Sequence, residues 1–528
     1  MKKAIKKLLA VLLAVAMVCA MAIPAFADTE SIREHHSFKA FQIFKGNVND
    51  ASEISNVEWG SCIHDYHDFL AELKKDPTLS TPFQDADSLQ KVLAVISTWD
   101  DSDDDSIAFA RFVCHYLYPT ADADPQPFIP TSGDVVQIPN DGAGYYLIVD
   151  TTYFNPDDSY HAYNSFLLNV TKAPWNLKIT PKVEKPSVKK EVYDNQDGTS
   201  NGAGFGSSAD HAINEEFQFK LTATLPASYD NDRAYDYYDK YTVIFNDTLS
   251  EGITFDRLDT VEITNGTTSQ VIDAANYTRT PNGSQSFTLS IENVKTCAAA
   301  AGLNLNDGAT ITVTYTAHLN DNAFVNTAGG DTKNKNSVYL TYSNNPRINT
   351  SVDKTPESEV CVYTYQLNNT KYHDEVNENN KLEGAGFRLY SNEACNDEDE
   401  IKLKKNNDGT YSRDFSTEGK GVEMLSNKDG QFNVKGLDAG TYYLKETNPP
   451  TGYSACKVTR VTIKANHTNE RVDLDGSNLS TTIINKKAGG ITLPSTGGIG
   501  TTLFYVIGGG LMVAAAVLLI TKKRMENK

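Results

Sequence analysis

The chain has 528 residues, a formal net charge of −20 at pH 7 and a hydrophobic fraction of 40%. So acidic a surface repels phosphates and argues against nucleic acid as a partner. At ~150 residues per domain, the stretch between two hydrophobic ends has room for about three domains.

Residues 1–27 begin with Lys2, Lys3, Lys6 and Lys7, run apolar and uncharged from Leu8 to Ile23, and close on Ala25-Phe26-Ala27. That is the layout of a secretory signal peptide cut before Asp28. Secretion would place Cys62, Cys114, Cys297, Cys361, Cys395 and Cys456 where disulfides can form. Cys62 with Cys114 and Cys395 with Cys456 are pairs that share a domain, although spacing leaves the connectivity open.

Residues 28–174 read as an α+β domain. Leu89, Val92, Leu93 and Ile96 recur at helical spacing, as do Ile107, Ala110, Cys114 and Leu117. Tyr145 to Val149 and Phe166 to Val170 are short strand-like runs. Pro174, Pro181 and Pro186 then interrupt a Lys-rich stretch, as an extended link or edge strand would.

From 175 to 350 the pattern turns to strands. Ile311, Val313, Tyr315, Ala317 and Leu319 alternate with Thr312, Thr314, Thr316 and His318, and Val338, Leu340 and Tyr342 do likewise. The reading is a β-sandwich. Residues 351–490 give a second one, with strands expected at Tyr363 to Leu367, Gly386 to Tyr390, Thr441 to Glu446 and Thr481 to Asn485, separated by turns such as Lys428-Asp429-Gly430.

Segment 491–528 contains Leu503 to Ile520, free of charge, followed by Lys522, Lys523 and Arg524. A helix of ~20 apolar residues spans a bilayer, and the basic tail sets its orientation with the tail in the cytoplasm. Leu493-Pro494-Ser495-Thr496-Gly497 precedes it. The order of motif, span and basic tail matches the LPxTG sorting signal. The resemblance implies that the tail would stall the chain in the membrane, where a cysteine transpeptidase would attack the Thr496 carbonyl and release Gly497.

Patterns for other chemistry fall short. Asp101, Asp103 and Asp105 begin like a calcium loop, but Ser106 and Phe112 stand where glycine and glutamate are required. His35-His36 and His64 with His67 lack a third ligand and read as surface residues. No P-loop, dinucleotide-binding glycine pattern, HExxH or GxSxG appears, so the expectation is a protein without cofactor or metal and without an external substrate.

Trp175-Asn176-Leu177-Lys178-Ile179-Thr180-Pro181-Lys182 resembles the pilin motif of sortase-assembled major (backbone) pilins of Gram-positive bacteria, with Thr180 where an aromatic is commoner. Phe41 to Gly46 and Gly144 to Leu147 extend the resemblance. It implies that the Lys182 amine accepts the Thr496 carbonyl of a neighbouring copy.

The resemblance also implies amide bonds inside domains, between a lysine and an asparagine beside a carboxylic acid. In the middle domain it points to Lys190, Asn336 and Asp247, with Lys189, Asn334 and Asn344 as competitors, because a one-residue slip on a strand reverses its faces. The last domain resembles a Cna-B-type module. Lys371, Glu446 and Asn485 would form its triad, Glu446 lying in Lys445-Glu446-Thr447-Asn448-Pro449-Pro450-Thr451-Gly452-Tyr453. No triad emerges in the first domain, where Lys39 and Lys45 are the lysines to watch.

The fold expected is mainly β, with tandem Ig-like (Cna-A/Cna-B-like) sandwiches behind an α+β domain. The implied partners are identical subunits, a class C pilus sortase, a housekeeping sortase with peptidoglycan, minor tip or base pilins and a host surface ligand. A monomeric wall-anchored adhesin is the alternative, and it has no need of Lys182.

Overall fold

The computed structural model describes most of residues 36–488, apart from short stretches such as 179–184, 196–202 and 416–420, together with separate residues between 515 and 523. The signal segment, Lys182 and the 493–497 motif lie outside the described residues, as does most of 503–520. Among the described residues no helix is long and apolar enough to cross a membrane.

The protein is mainly β. By contacts it divides into two units, one comprising 1–366 with 435–440 and 463–477, the other 367–434, 441–462 and 478–528.

The first unit opens with a sheet in the order Leu167–Val170, Gly144–Asp150, Phe38–Val48, Ile129–Ser132, Val135–Ile138, Trp175–Lys178, with Ile54–Trp59 also on Phe38–Val48. Helices Tyr66–Leu73, Leu89–Ile96 and Asp104–Leu117 bury Phe69, Val92 and Phe109 in one core with Phe41 and Leu147 from the sheet. The helical spacing of the sequence reappears as the buried face of the last two helices. Trp175–Lys178 is an edge strand, pairing antiparallel with Val135–Ile138.

A sandwich follows. One sheet runs Ser208–Asp210, Ser358–Tyr363, Asn334–Ser343, Val243–Leu249, Ser286–Ile291, Thr278–Pro281. The other runs Thr268–Val271, Ile253–Asn265, Thr310–Leu319, Glu216–Thr224, Ser187–Asp194, Gly204–Gly206. Along Glu216–Thr224 buried residues alternate with outward ones, as a strand with one face on a core requires. Phe219, Leu221, Phe245, Val313, Tyr315 and Leu340 are fully buried between the sheets.

The strand Tyr365–His373, whose first two residues belong to the first unit, runs into the second unit and lies parallel there to Ser480–Asn485, so that Lys371 stands opposite Ile483 and His373 opposite Asn485. With a side-chain period of two, Lys371 and Asn485 fall diagonally on one face. The facing sheet contains Gly386–Tyr390 and Gly440–Asn448, which carries Glu446. Gly430 holds Lys371 in place, its carbonyl accepting from the Lys371 amide at 2.8 Å. A Cβ at Gly430 would lie 2.4 Å from the Lys371 carbonyl oxygen, and φ there is +72°, so glycine is required on both counts.

Candidate functional site

Two clusters of buried polar side chains sit where apolar core would ordinarily be. In the sandwich of the first unit, Lys190 comes from Ser187–Asp194 and Tyr315 from Thr310–Leu319 of one sheet, Asp247 from Val243–Leu249 and Asn336 from Asn334–Ser343 of the other. All four are at most 2% exposed. The Lys190 amine donates to Asp247 Oδ2 and, at 3.2 Å, to the Tyr315 hydroxyl. That hydroxyl donates to Asp247 Oδ1 at 3.1 Å and accepts from Asn336 Nδ2 at 2.6 Å. One phenolic oxygen therefore holds the amine and the amide together. Asn336 Oδ1 is buried without a hydrogen-bond partner.

Burial sets the charge state. It pulls the Lys190 amine down to about 8 and pushes the Asp247 carboxyl up, against the attraction between them. Taking two ions from water costs several kcal/mol each, on the order of what proton transfer from amine to acid would relieve. The transferred form is a free amine beside a protonated acid, which is what attack on an amide needs.

The competitors point elsewhere. The Lys189 side chain is 71% exposed and pairs with Glu191. Asn334 accepts from the Phe324 amide at 2.9 Å and donates to the Phe324 and Val362 carbonyls. Asn344 Oδ1 accepts from Ser351 at 2.8 Å.

In the second unit Lys371 and Asn485 are fully buried and Glu446 is 7% exposed. Lys371 Nζ lies 2.5 Å from Asn485 Oδ1, and Asn485 Nδ2 lies 2.7 Å from Glu446 Oε1, which is itself 3.6 Å from Lys371 Nζ. Burial holds the Lys371 amine below its usual range. The Cys456 amide donates to Glu446 Oε2 at 2.7 Å and orients the carboxyl. Glu446 Oε1 thus lies 3.6 Å from the amine and 2.7 Å from the amide nitrogen, placed to relay a proton from the one to the other. The six cysteines named above are free thiols, so neither Cys62–Cys114 nor Cys395–Cys456 is bonded. The Cys62 thiol is directed at the Gln42 carbonyl, 2.9 Å away, and Cys456 is engaged beside Glu446.

Lys39 bonds Asp124 at 2.8 Å and lies over the Phe128 ring, and Lys45 lies 3.7 Å from Glu58. Neither arrangement brings an asparagine to the amine. Tyr315 is the site residue that sequence reading missed. It appears there as one more inward residue of an alternating strand, and only the facing sheet reveals what its hydroxyl joins. Tyr315→Phe removes the hydroxyl that meets Lys190, Asp247 and Asn336 and is expected to slow amide formation in this sandwich by at least about tenfold, the effect of losing even one aligning hydrogen bond of ~1.4 kcal/mol. Intact mass followed over time after synthesis reads the rate, and an unchanged rate would show that the hydroxyl is not needed.

Residues 366–478 match the family model of the SpaA prealbumin-like fold domain, and residues 485–527 match that of the LPXTG cell wall anchor motif. No curated protein matches the chain. Among solved structures it is similar to the T6 backbone pilin of serotype M6 Streptococcus pyogenes, at 17% identity over 86% of this chain and 96% of that one, with a TM-score of 0.45. It is similar also to the full-length major pilin SpaD from Corynebacterium diphtheriae, at 16% identity over 89% of this chain and 95% of that one, TM-score 0.42. A third is the C-terminal fragment of the major pilin GBS80 of Streptococcus agalactiae, at 18% identity over 58% of this chain and all of that one, TM-score 0.41. With its LPXTG anchor, the chain is a cell wall-anchored surface protein.

Proposed function

We propose that the chain is the backbone subunit of a covalent pilus, in which a sortase joins Thr496 of one copy to Lys182 of the next. The observation that supports it most is the pair of buried lysine–acid–asparagine clusters in a chain that ends in a sorting signal. In each cluster the lysine Nζ attacks the asparagine Cγ, the acid carries the proton from amine to leaving nitrogen, and one ammonia departs. An amide bond from Lys190 to Asn336 and another from Lys371 to Asn485 remain.

These bonds have a mechanical purpose. Tension that enters at Lys182 and leaves at Thr496 crosses from Lys190 to Asn336 and from Lys371 to Asn485 without passing through the strands between. Parallel end strands such as Tyr365–His373 and Ser480–Asn485 would otherwise shear along their length. The first domain, outside this path, needs no bond of its own. The fibre supports adhesion and colonisation, its partners being copies of itself, the pilus sortase, minor pilins, and at its base the housekeeping sortase and peptidoglycan. The chain acts as structure and has no external substrate.

Boiled, detergent-denatured wall extracts of cells that express the sortase test the reading. Wild type is expected to give a high-mass ladder on an immunoblot, and Lys182→Ala to give monomer. Monomer in both would favour a wall-anchored adhesin that does not polymerise.

A further inference from the structure

A second kind of buried polar cluster lies in the first unit, apart from the lysine sites. Asp194 ends the strand Ser187–Asp194, Asp210 ends Ser208–Asp210, and His467 ends Ala465–His467. All three are at most 3% exposed. His467 Nε2 lies 3.1 Å from Asp194 Oδ2 and 3.8 Å from Asp210 Oδ1. One donor atom from each residue falls within 4.8 Å of the others.

We infer that Asp194, Asp210 and His467 form a binding site for a divalent transition-metal ion, zinc being the ion that the donors fit best. Four observations carry this. Asp210 is completely buried, and its Oδ2 accepts from the Tyr365 hydroxyl at 2.8 Å while Oδ1, the atom facing His467, has no hydrogen-bond partner. An acceptor left so is costly, on the order of 1–3 kcal/mol, and a cation would satisfy it. His467 Nδ1 meets Ser208 Oγ at 2.8 Å. This contact fixes the ring and leaves Nε2 toward the carboxylates, as in metal-ligating histidines.

The spacing also fits. Donors on a tetrahedral zinc with arms of about 2.0 Å lie about 3.3 Å apart, and the two separations at Nε2 bracket that value. Finally, a mixed set of imidazole and carboxylates suits zinc better than calcium or magnesium.

The site joins segments that sequence reading leaves far apart, so no ligand-spacing motif announces it. Neither His64 nor His67, the histidines closest to such a motif, takes part.

The test is titration of the chelator-stripped full chain with Zn2+ alone, in parallel with Ca2+ and Mg2+, read by calorimetry and by the unfolding temperature. The expected result is one equivalent of Zn2+ bound at micromolar concentration or below, with a rise in unfolding temperature. His467→Gln and Asp210→Asn are each expected to weaken binding at least tenfold. Asp210→Asn keeps an oxygen for Tyr365, and its native unfolding transition without metal shows that loss of binding is not loss of fold. Wild type that binds no zinc would overturn the inference. So would zinc binding unchanged in both variants, or a preference for calcium.

Discussion

Glu446→Ala is expected to leave Lys371 and Asn485 unjoined, so that the purified chain keeps the mass of the one ammonia that the proposed bond releases. The carboxyl is the group in contact with both partners, at 3.6 Å from the amine and 2.7 Å from the amide nitrogen. Without it the amine has no acceptor for its proton and the leaving nitrogen no donor. The lost bond spans a sequence separation of 114 residues. Closing a loop of about that size with a disulfide removes unfolded-state entropy worth ~4–5 kcal/mol, and an amide cross-link acts on the same ensemble. For a domain of this size that corresponds to a fall of about 15 °C in unfolding temperature. Calorimetry and intact mass on the same sample check both statements, and a variant that still sheds both ammonia molecules would show that Glu446 is dispensable.

The second large effect separates the bond from the charges that make it. Asp247→Ala and the double variant Lys190→Met/Asp247→Leu are each expected to lack the proposed amide in the first sandwich, so both retain one ammonia. They differ in what they leave behind. The double variant replaces both partners with apolar side chains. Asp247→Ala leaves an amine 2% exposed with its acid gone. Breaking one side of a buried ion pair costs ~3–5 kcal/mol, whereas apolar replacement of the whole pair is near neutral. Asp247→Ala is therefore expected to be less stable than the double variant by about 3 kcal/mol in urea unfolding. Equal stabilities would mean that the buried pair carries no electrostatic cost.

Much of this was legible in the chain because strand and helix periods expose what faces a core. The alternation from Ile311 to Leu319 became the strand Thr310–Leu319, and the spacing from Leu89 to Ile96 became a helix with those bounds. Gly386 to Tyr390 is a strand as expected, and Glu446 and Asn485 sit on strands that contain the expected ones. The sequence leaves Lys189 and Lys190 open, since adjacent residues point to opposite sides and the register is free; in the structure Lys190 is the buried one. Faces do not decide Asn336 over Asn334. Two residues apart, both face the core, and only their partners distinguish them, backbone carbonyls for Asn334 and Tyr315 for Asn336.

What stayed hidden depends on contacts between distant segments. Tyr315 meets Asp247 and Asn336 across the sandwich, and Asp194 meets His467 across most of the chain. Periodicity says that each is inward, and nothing in it says what each one meets. The cysteines show the converse error. Sharing a domain made two pairs reasonable, yet Cys62 and Cys456 sit where other groups engage them.

The most direct measurement of the central claim is tandem mass spectrometry of protease-digested high-mass wall material. The expected result is a branched peptide in which the Thr496 carbonyl is bonded to Lys182 Nζ, with two further branched peptides that join Lys190 to Asn336 and Lys371 to Asn485. Thr496 found only on peptidoglycan amines, with Lys182 unmodified throughout, would contradict it.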